Sequence, residues 1–277
     1  MSNKQFIITR RSSGQVGARG GTEKIAQLLA DNWGYQITYS DDLVTIPRGW
    51  TAILLVGLPF AQILKIATGA MFSSVEIQIL KTATYPGAFR RLFERLTYWV
   101  LACLFGVRFY IISSRQRALY PQGELIDLID LYGGEGAGDF AQGGRKYDLG
   151  YVGRVDEEKG FFEAVKFFDS LPAGKTVMLD ILLWCENDRR LCENFQLSRF
   201  DVFYKTKQVS EAPKYSEIAT LYLPYKSLSS TIAVPLVVVE AVLSGCSVVV
   251  PGWLLKDLVY DFPSLKGRLI SVDDFLI

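Results

Sequence analysis

Short apolar runs rich in Ile, Val, Leu and aromatic residues alternate along this chain with stretches whose apolar positions recur every three or four residues. The runs have the makeup of strands buried on both faces, and the spaced stretches have the period of helices with one apolar side. In the first half the pattern predicts strands over Gln5–Thr9, Gln36–Tyr39, Ala52–Val56, near Val75–Leu80 and over Arg108–Ser113. Helices are expected over Thr22–Asn32, near Phe60–Thr68 and over Phe89–Leu104.

The second half restarts with a strand before Gly153 and a helix to about Ser170. Strand Val177–Leu183, a helix near Asp188–Phe195, strand Asp201–Tyr204, a short helix Lys214–Ile218, strand Thr220–Leu223, helix Leu236–Leu243 and strand Ser247–Val250 follow. Between the halves, Gly123, Gly133, Gly134, Gly136, Gly138, Gly143 and Gly144 argue against any regular element. Strand and helix alternating through both halves predicts an α/β protein with parallel sheets covered by helices. The expected division is a domain over 1–120, a Gly-rich connection over 121–146 and a second domain over 147–277, with a ligand cleft between the domains at the carboxyl ends of the strands.

Composition narrows the chemistry. The chain is 49% hydrophobic and 21% charged, as a folded globular protein is, and a net charge of +1 gives no global attraction to nucleic acid. With no histidine anywhere, Ser-His-Asp and Cys-His catalysis, imidazole bases and histidine-ligated metals are all excluded. Cys103, Cys185, Cys192 and Cys246 show no paired short spacing, which fits a reducing compartment, and they are expected as buried apolar residues. MSNKQFIITRRSSG lacks the apolar core of a secretion signal, so a cytoplasmic location is expected. The apolar stretches Thr51–Met71 and Thr97–Ser113 are interrupted by Pro59, Gln62 and Lys65 and by Gly106 and Arg108, so neither is expected to span a membrane.

The segment YDLGYVGRVDEEKGFFEAVKFF, Tyr147–Phe168, carries the strongest chemical signal. A strand runs to Gly153, where a sharp turn is expected. Gly160 opens a helix whose apolar face repeats at Phe161, Ala164, Val165 and Phe168. Arg154 and Lys159 flank the start of that helix, where unpaired amides and the helix dipole already favour an anion. A diphosphate would gain charge-assisted hydrogen bonds there. The alternative is a surface turn in which Asp156, Glu157 and Glu158 balance the two cations.

Three further groupings stand out. Gly14, Gly17, Gly20 and Gly21 punctuate the turn before an amphipathic helix carrying Ile25, Leu28 and Leu29, either for close ligand approach or as a loop capped by Thr22. Their spacing is not that of a dinucleotide fingerprint. Glu240 is the only charged residue between Lys226 and Lys256, so its carboxylate needs partners: ribose hydroxyls, or water on one wet helix face. Lys81, Arg90, Arg91, Arg95 and Arg108, interleaved with Phe89, Phe93, Tyr98 and Trp99, describe either a peripheral membrane contact through Phe89–Leu104 or an ordinary solvated face paired to Glu94.

Taken together these residues resemble the retaining glycosyltransferases of the GT-B fold, family 4 in particular. RGGTEKIAQLLA is similar to that family's first glycine loop and helix, and YIISSRQRAL to a strand and serine turn late in its first domain. YVGRVDEEKGFFEAV resembles its donor phosphate segment, and LYLPYKSLSSTIAVPLVVVEAVLSGCSVVVPG its nucleotide-sugar loop, helix and strand.

The resemblance implies two Rossmann-like domains and transfer of a sugar from a UDP-, GDP- or ADP-linked donor to a glycan, lipid or protein hydroxyl. No metal and no separate cofactor are implied. Arg154 and Lys159 would hold the donor diphosphate, Glu240 the ribose, and Gly20, Gly21 and Gly153 would lie close to the phosphates or sugar. The family's second acidic residue, eight positions before the one matching Glu240, falls on Ile232. Sugar contacts would then come from backbone amides of the Ser227–Val234 loop, with Thr231, Ile232 and Ala233 at its end, or from a different side chain. The family's first-domain histidine falls near Thr82–Gly87, where Thr84 or Tyr85 stands in, and relatives continue past the position of Ile277 with further helices. A non-catalytic binding or assembly protein, or a nucleotide-sugar epimerase, remains as an alternative on the same architecture.

Overall fold

A computed structural model describes residues 4–9, 21–40, 46–47, 49–71, 75–82, 88–118, 120–133, 144–183, 185–195, 197–206, 213–228 and 232–275. The chain divides into two compact units, one built mainly on Arg19–Tyr132 with the N-terminal strand, the other on Gly133–Ser230 and Pro235–Ile277.

In the first unit the elements follow in the order β1 (Lys4–Thr9), α1 (Gly21–Trp33), β2 (Gln36–Tyr39), β3 (Trp50–Val56), α2 (Phe60–Met71), β4 (Glu76–Lys81), α3 (Ala88–Phe105), β5 (Arg108–Ile111), β6 (Glu124–Leu125) and α4 (Leu128–Leu131). All strand pairs are parallel, in the order β2-β1-β3-β4-β5-β6. Ala52–Val56 of β3 is buried throughout, as expected of a central strand covered on both faces. Around it pack Ile8, Ile77, Ile79, Tyr98, Leu101 and Phe109. Each such side chain contributes about 1.5–3 kcal/mol on leaving water.

The second unit runs β7 (Tyr147–Arg154), α5 (Phe161–Asp169), β8 (Val177–Leu183), α6 (Glu186–Glu193), β9 (Asp201–Thr206), β10 (Ile218–Tyr222), α7 (Leu236–Leu243), β11 (Ser247–Val250), α8 (Gly252–Asp261) and β12 (Leu269–Ser271). Its sheet is again wholly parallel, in the order β12-β11-β10-β7-β8-β9. The chain therefore winds outward in one direction from β7 and in the other from β10. Between those two strands lies the switch point of the sheet, where the connections leave to opposite sides and open a crevice at the strand ends.

Several expectations need correction. The stretch expected to hold no regular element carries β6 and α4, because its glycines gather from Gly133 onward while Leu128, Ile129 and Leu131 bury an apolar face. Asp127 caps α4 by accepting from the Ile129 N–H. Beyond Ser247–Val250, where no element was expected, Pro251 and Gly252 open α8, a helix that buries Leu254 and Leu258. Cys103 and Cys185 are exposed, and only Cys192 and Cys246 are buried thiols. Lys81 and Tyr98 are not part of a surface, since both are buried inside the first unit. Among the described residues no helix is long and apolar enough to cross a membrane.

Candidate functional site

β7 delivers Arg154 as its last residue, in register with Leu182 of β8. Gly153 does not turn the chain as expected. It lies in the strand opposite Ile181, and its role is space: a Cβ there would come within 2.8 Å of the Tyr151 hydroxyl. That hydroxyl, buried beneath the strand end, donates to the Arg154 carbonyl at 2.9 Å and fixes where β7 stops.

The reversal comes at Gly160, the N-cap of α5, with φ of 73° in the left-handed region that glycine alone adopts readily. A Cβ here would also meet the Pro224 carbonyl oxygen at 2.1 Å. The loop after β10 therefore sits directly on the turn after β7. Two backbone bonds reinforce the contact, the Lys226 and Ser227 N–H groups donating to the Glu158 carbonyl at 2.9 and 3.4 Å. No side chain caps α5, so none competes with an anion at its first turn. Its inner face is the expected one, with Phe161, Ala164, Val165 and Phe168 all buried.

The charges in this turn divide unevenly. Arg154 pairs with Asp156 at 3.3 Å, both about a quarter exposed, so part of the balancing expected of the acidic cluster does occur. Glu157 turns instead to Lys226 at 2.9 Å, and Lys226 also reaches Glu163 at 2.7 Å. Lys159 is 8% exposed, and among the described residues no carboxylate or hydroxyl pairs with its ammonium. The ammonium lies over the Tyr225 ring, 5.2 Å from its centroid. Burial lowers the Lys159 pKa to about 8, with the Arg154 guanidinium pushing the same way and Asp156 and Glu158 opposing. Tyr225 is raised well above the ordinary tyrosine range by burial, so it stays a neutral aromatic wall.

Glu240, on α7, is half-buried and accepts a hydrogen bond from the Tyr215 hydroxyl at 3.3 Å. Tyr215 itself is held far above its usual pKa, by burial first, then by Glu240 and more weakly by Tyr225. The carboxylate is therefore a placed group and not merely one wet position on an apolar helix. Gly21 is the first residue of α1, and Ile232 and Ala233 are buried and cluster with the first unit. There the Ala233 N–H donates to the Thr82 carbonyl at 2.7 Å, and a Cβ on Gly21 would approach Ile232 Cδ1 to 2.8 Å. Gly20, Thr84, Tyr85 and Thr231 lie outside the described residues. Among the described residues no cluster of His, Cys, Asp and Glu side chains could hold a metal ion.

Sequence reasoning missed Tyr215, which holds Glu240, and Pro224 and Tyr225, which meet Gly160 and Lys159 from across the switch point. The available signal was position: LYLPYK follows a central strand, and such loops line the crevice of a parallel sheet.

A scan against family models and a search of curated protein sequences found no match. Solved structures do match in shape. Anabaena HepE in complex with UDP aligns with a TM-score of 0.61 at 11% identity, over 90% of this chain and 80% of that one. AviGT4, a glycosyltransferase involved in avilamycin A biosynthesis, aligns with a TM-score of 0.54 at 15% identity over 98% and 85%. An alpha-glucosyltransferase in complex with UDP and a 13-mer DNA aligns with a TM-score of 0.54 at 12% identity over 92% and 81%. With its two parallel six-stranded sheets, the chain has the GT-B glycosyltransferase fold of two Rossmann-like domains.

Proposed function

We propose that this GT-B chain transfers a glycosyl group from a nucleoside diphosphate sugar to an acceptor hydroxyl with retention of configuration. The observation that carries the proposal is Lys159: a nearly buried ammonium with no anionic partner among the described residues, beside Arg154 and the uncapped start of α5. Burying a charge without an anion is costly, and a bound diphosphate would supply the missing partner. Structural likeness to proteins solved with UDP supports the same ligand class.

In this reading the bond from the anomeric carbon to the diphosphate oxygen breaks, and Arg154 and Lys159 take up the negative charge growing on the leaving group. The acceptor oxygen bonds to the anomeric carbon from the face the leaving group departs, and its proton passes to the departing phosphate. That route needs no histidine and no protein carboxylate as base. The two cations and the helix dipole serve as the electrophile, so we take the reaction to be metal-independent. Removing one such preorganised group typically costs about 10²–10³ in turnover. Glu240, steadied by Tyr215, would take the ribose hydroxyls.

The test is incubation with a panel of UDP-, GDP- and ADP-sugars, reading released nucleoside diphosphate and the anomer of the product. Turnover on one donor that Lys159→Ala abolishes is the expected result. Failure to bind any nucleoside diphosphate in calorimetry sinks the proposal. A second reading, a binding module without turnover, is favoured by the buried apolar Ile232 at the position of the family's second acid. Tight binding with no product from any donor would establish it.

A further inference from the structure

Helix α3 packs inward through Tyr98 and Leu101, at 0% and 4% exposure, yet leaves a second apolar face outside. Its polar residues Glu94 and Tyr98 are buried, at 2% and 0% exposure, while Leu92, Phe93, Leu96, Trp99, Leu104 and Phe105 are exposed at 66%, 53%, 60%, 56%, 71% and 47%. Leu92, Leu96, Trp99 and the exposed Cys103 follow the i, i+4, i+7, i+11 spacing that aligns side chains along one helix face. Scattered surface apolar residues are ordinary, but a continuous stripe over an 18-residue helix marks a surface that meets something apolar.

Charge says what. The helix has one carboxylate, Glu94, and that group faces inward, 3.6 Å from Lys81 and accepting from Tyr120 at 3.1 Å. Arg95 is exposed, and the sequence places Arg90 and Arg91 in the first turns of the same helix. The outward stripe is therefore accompanied by positive charge with no acid of its own. A second copy packed on this stripe would bring like charges together.

We infer that α3 docks this protein on an anionic lipid bilayer, lying in the interface with Leu92, Leu96 and Trp99 at the acyl boundary and Arg95 supplying attraction to lipid phosphates. The helix lies on the membrane and does not cross it. This rests on the first unit alone and is independent of the transferase reading.

Vesicle flotation tests it, using phosphatidylcholine alone and phosphatidylcholine mixed with phosphatidylglycerol. The wild-type chain should float with the anionic vesicles and far less with the neutral ones, and added salt should release it. Leu96→Gln/Trp99→Gln should remain in the load fraction, with an unchanged thermal melt and circular dichroism spectrum. Arg95→Ala should weaken partitioning by about fivefold. Equal flotation on both vesicle types, flotation unaffected by Leu96→Gln/Trp99→Gln, or no flotation at all would overturn the proposal. A wild-type dimer in sedimentation that the same variant converts to monomer would overturn it in favour of a second copy.

Discussion

Lys81 and Lys159 are both almost fully buried, at 4% and 8% exposure, one at the end of β4 and the other in the turn after β7. Lys81 is provided for within its own unit. It donates to the Tyr98 hydroxyl at 3.1 Å, stands 3.6 Å from Glu94, and lies over the Tyr98 and Tyr120 rings at 5.1 and 5.6 Å from their centroids. Lys159 has one aromatic ring and a neighbouring guanidinium. A buried cation with its counter-ion folded in is part of the architecture; one without such a partner among the described residues is, in the function proposed above, where the donor diphosphate binds.

The sharpest way to break this contrast is to delete each amine. Lys81→Ala leaves Glu94 buried without its cation and should destabilise the fold by about 3–5 kcal/mol in urea titration, whereas Lys81→Met combined with Glu94→Leu should recover most of that loss. Lys159→Met should do the reverse in both respects: stability unchanged or raised by a fraction of that amount, and nucleoside diphosphate binding lost in calorimetry. If both substitutions destabilise alike, Lys159 is structural and the contrast fails.

Protonation sharpens the comparison next. With a pKa lowered to about 8, Lys159 is charged below that pH and ready for an anion, and above it must first take up a proton. Diphosphate affinity should be level below about pH 8 and fall by up to about tenfold per pH unit above it, until the higher pKa of the bound state is reached. Lys159→Met should flatten that dependence in whatever binding remains. The smallest effect is expected at Tyr215→Phe, which removes one hydrogen bond to Glu240, worth about 1 kcal/mol. Calorimetry should show roughly fivefold weaker nucleotide binding, with little change in the affinity for inorganic pyrophosphate.

Much of the fold was legible because parallel strands write themselves as apolar blocks. β2, β8, α7 and β11 match their expected bounds, and most other elements shift by one to three residues. β6, with two residues, is too short to leave a pattern, and α8 hid behind Pro251 and Gly252, which open helices as readily as they close strands. The site was only half legible. Arg154, Lys159 and Gly160 share one segment with a recognisable rhythm, but the Tyr225 ring beside Lys159 comes from the loop after β10, distant in sequence, and DEEK reads as a solvated run. Glu240 announced itself by isolation, whereas Tyr215, in a 3-10 turn Tyr215–Glu217, gave no sign that it lies beneath that carboxylate. The inward turn of Glu94 was equally hidden, since helical periodicity assigns polar residues to the outside by default.

The bare α-carbon of Gly160 leaves the Pro224 carbonyl just enough room to rest against the turn after β7. The same two segments are also tied by the Lys226 and Ser227 N–H bonds to the Glu158 carbonyl and by the Lys226 ion pairs to Glu157 and Glu163, so backbone and side chains together hold the β10 loop against the lysine-bearing turn. Any side chain at that position would collide with the Pro224 carbonyl and would have to displace it to fit.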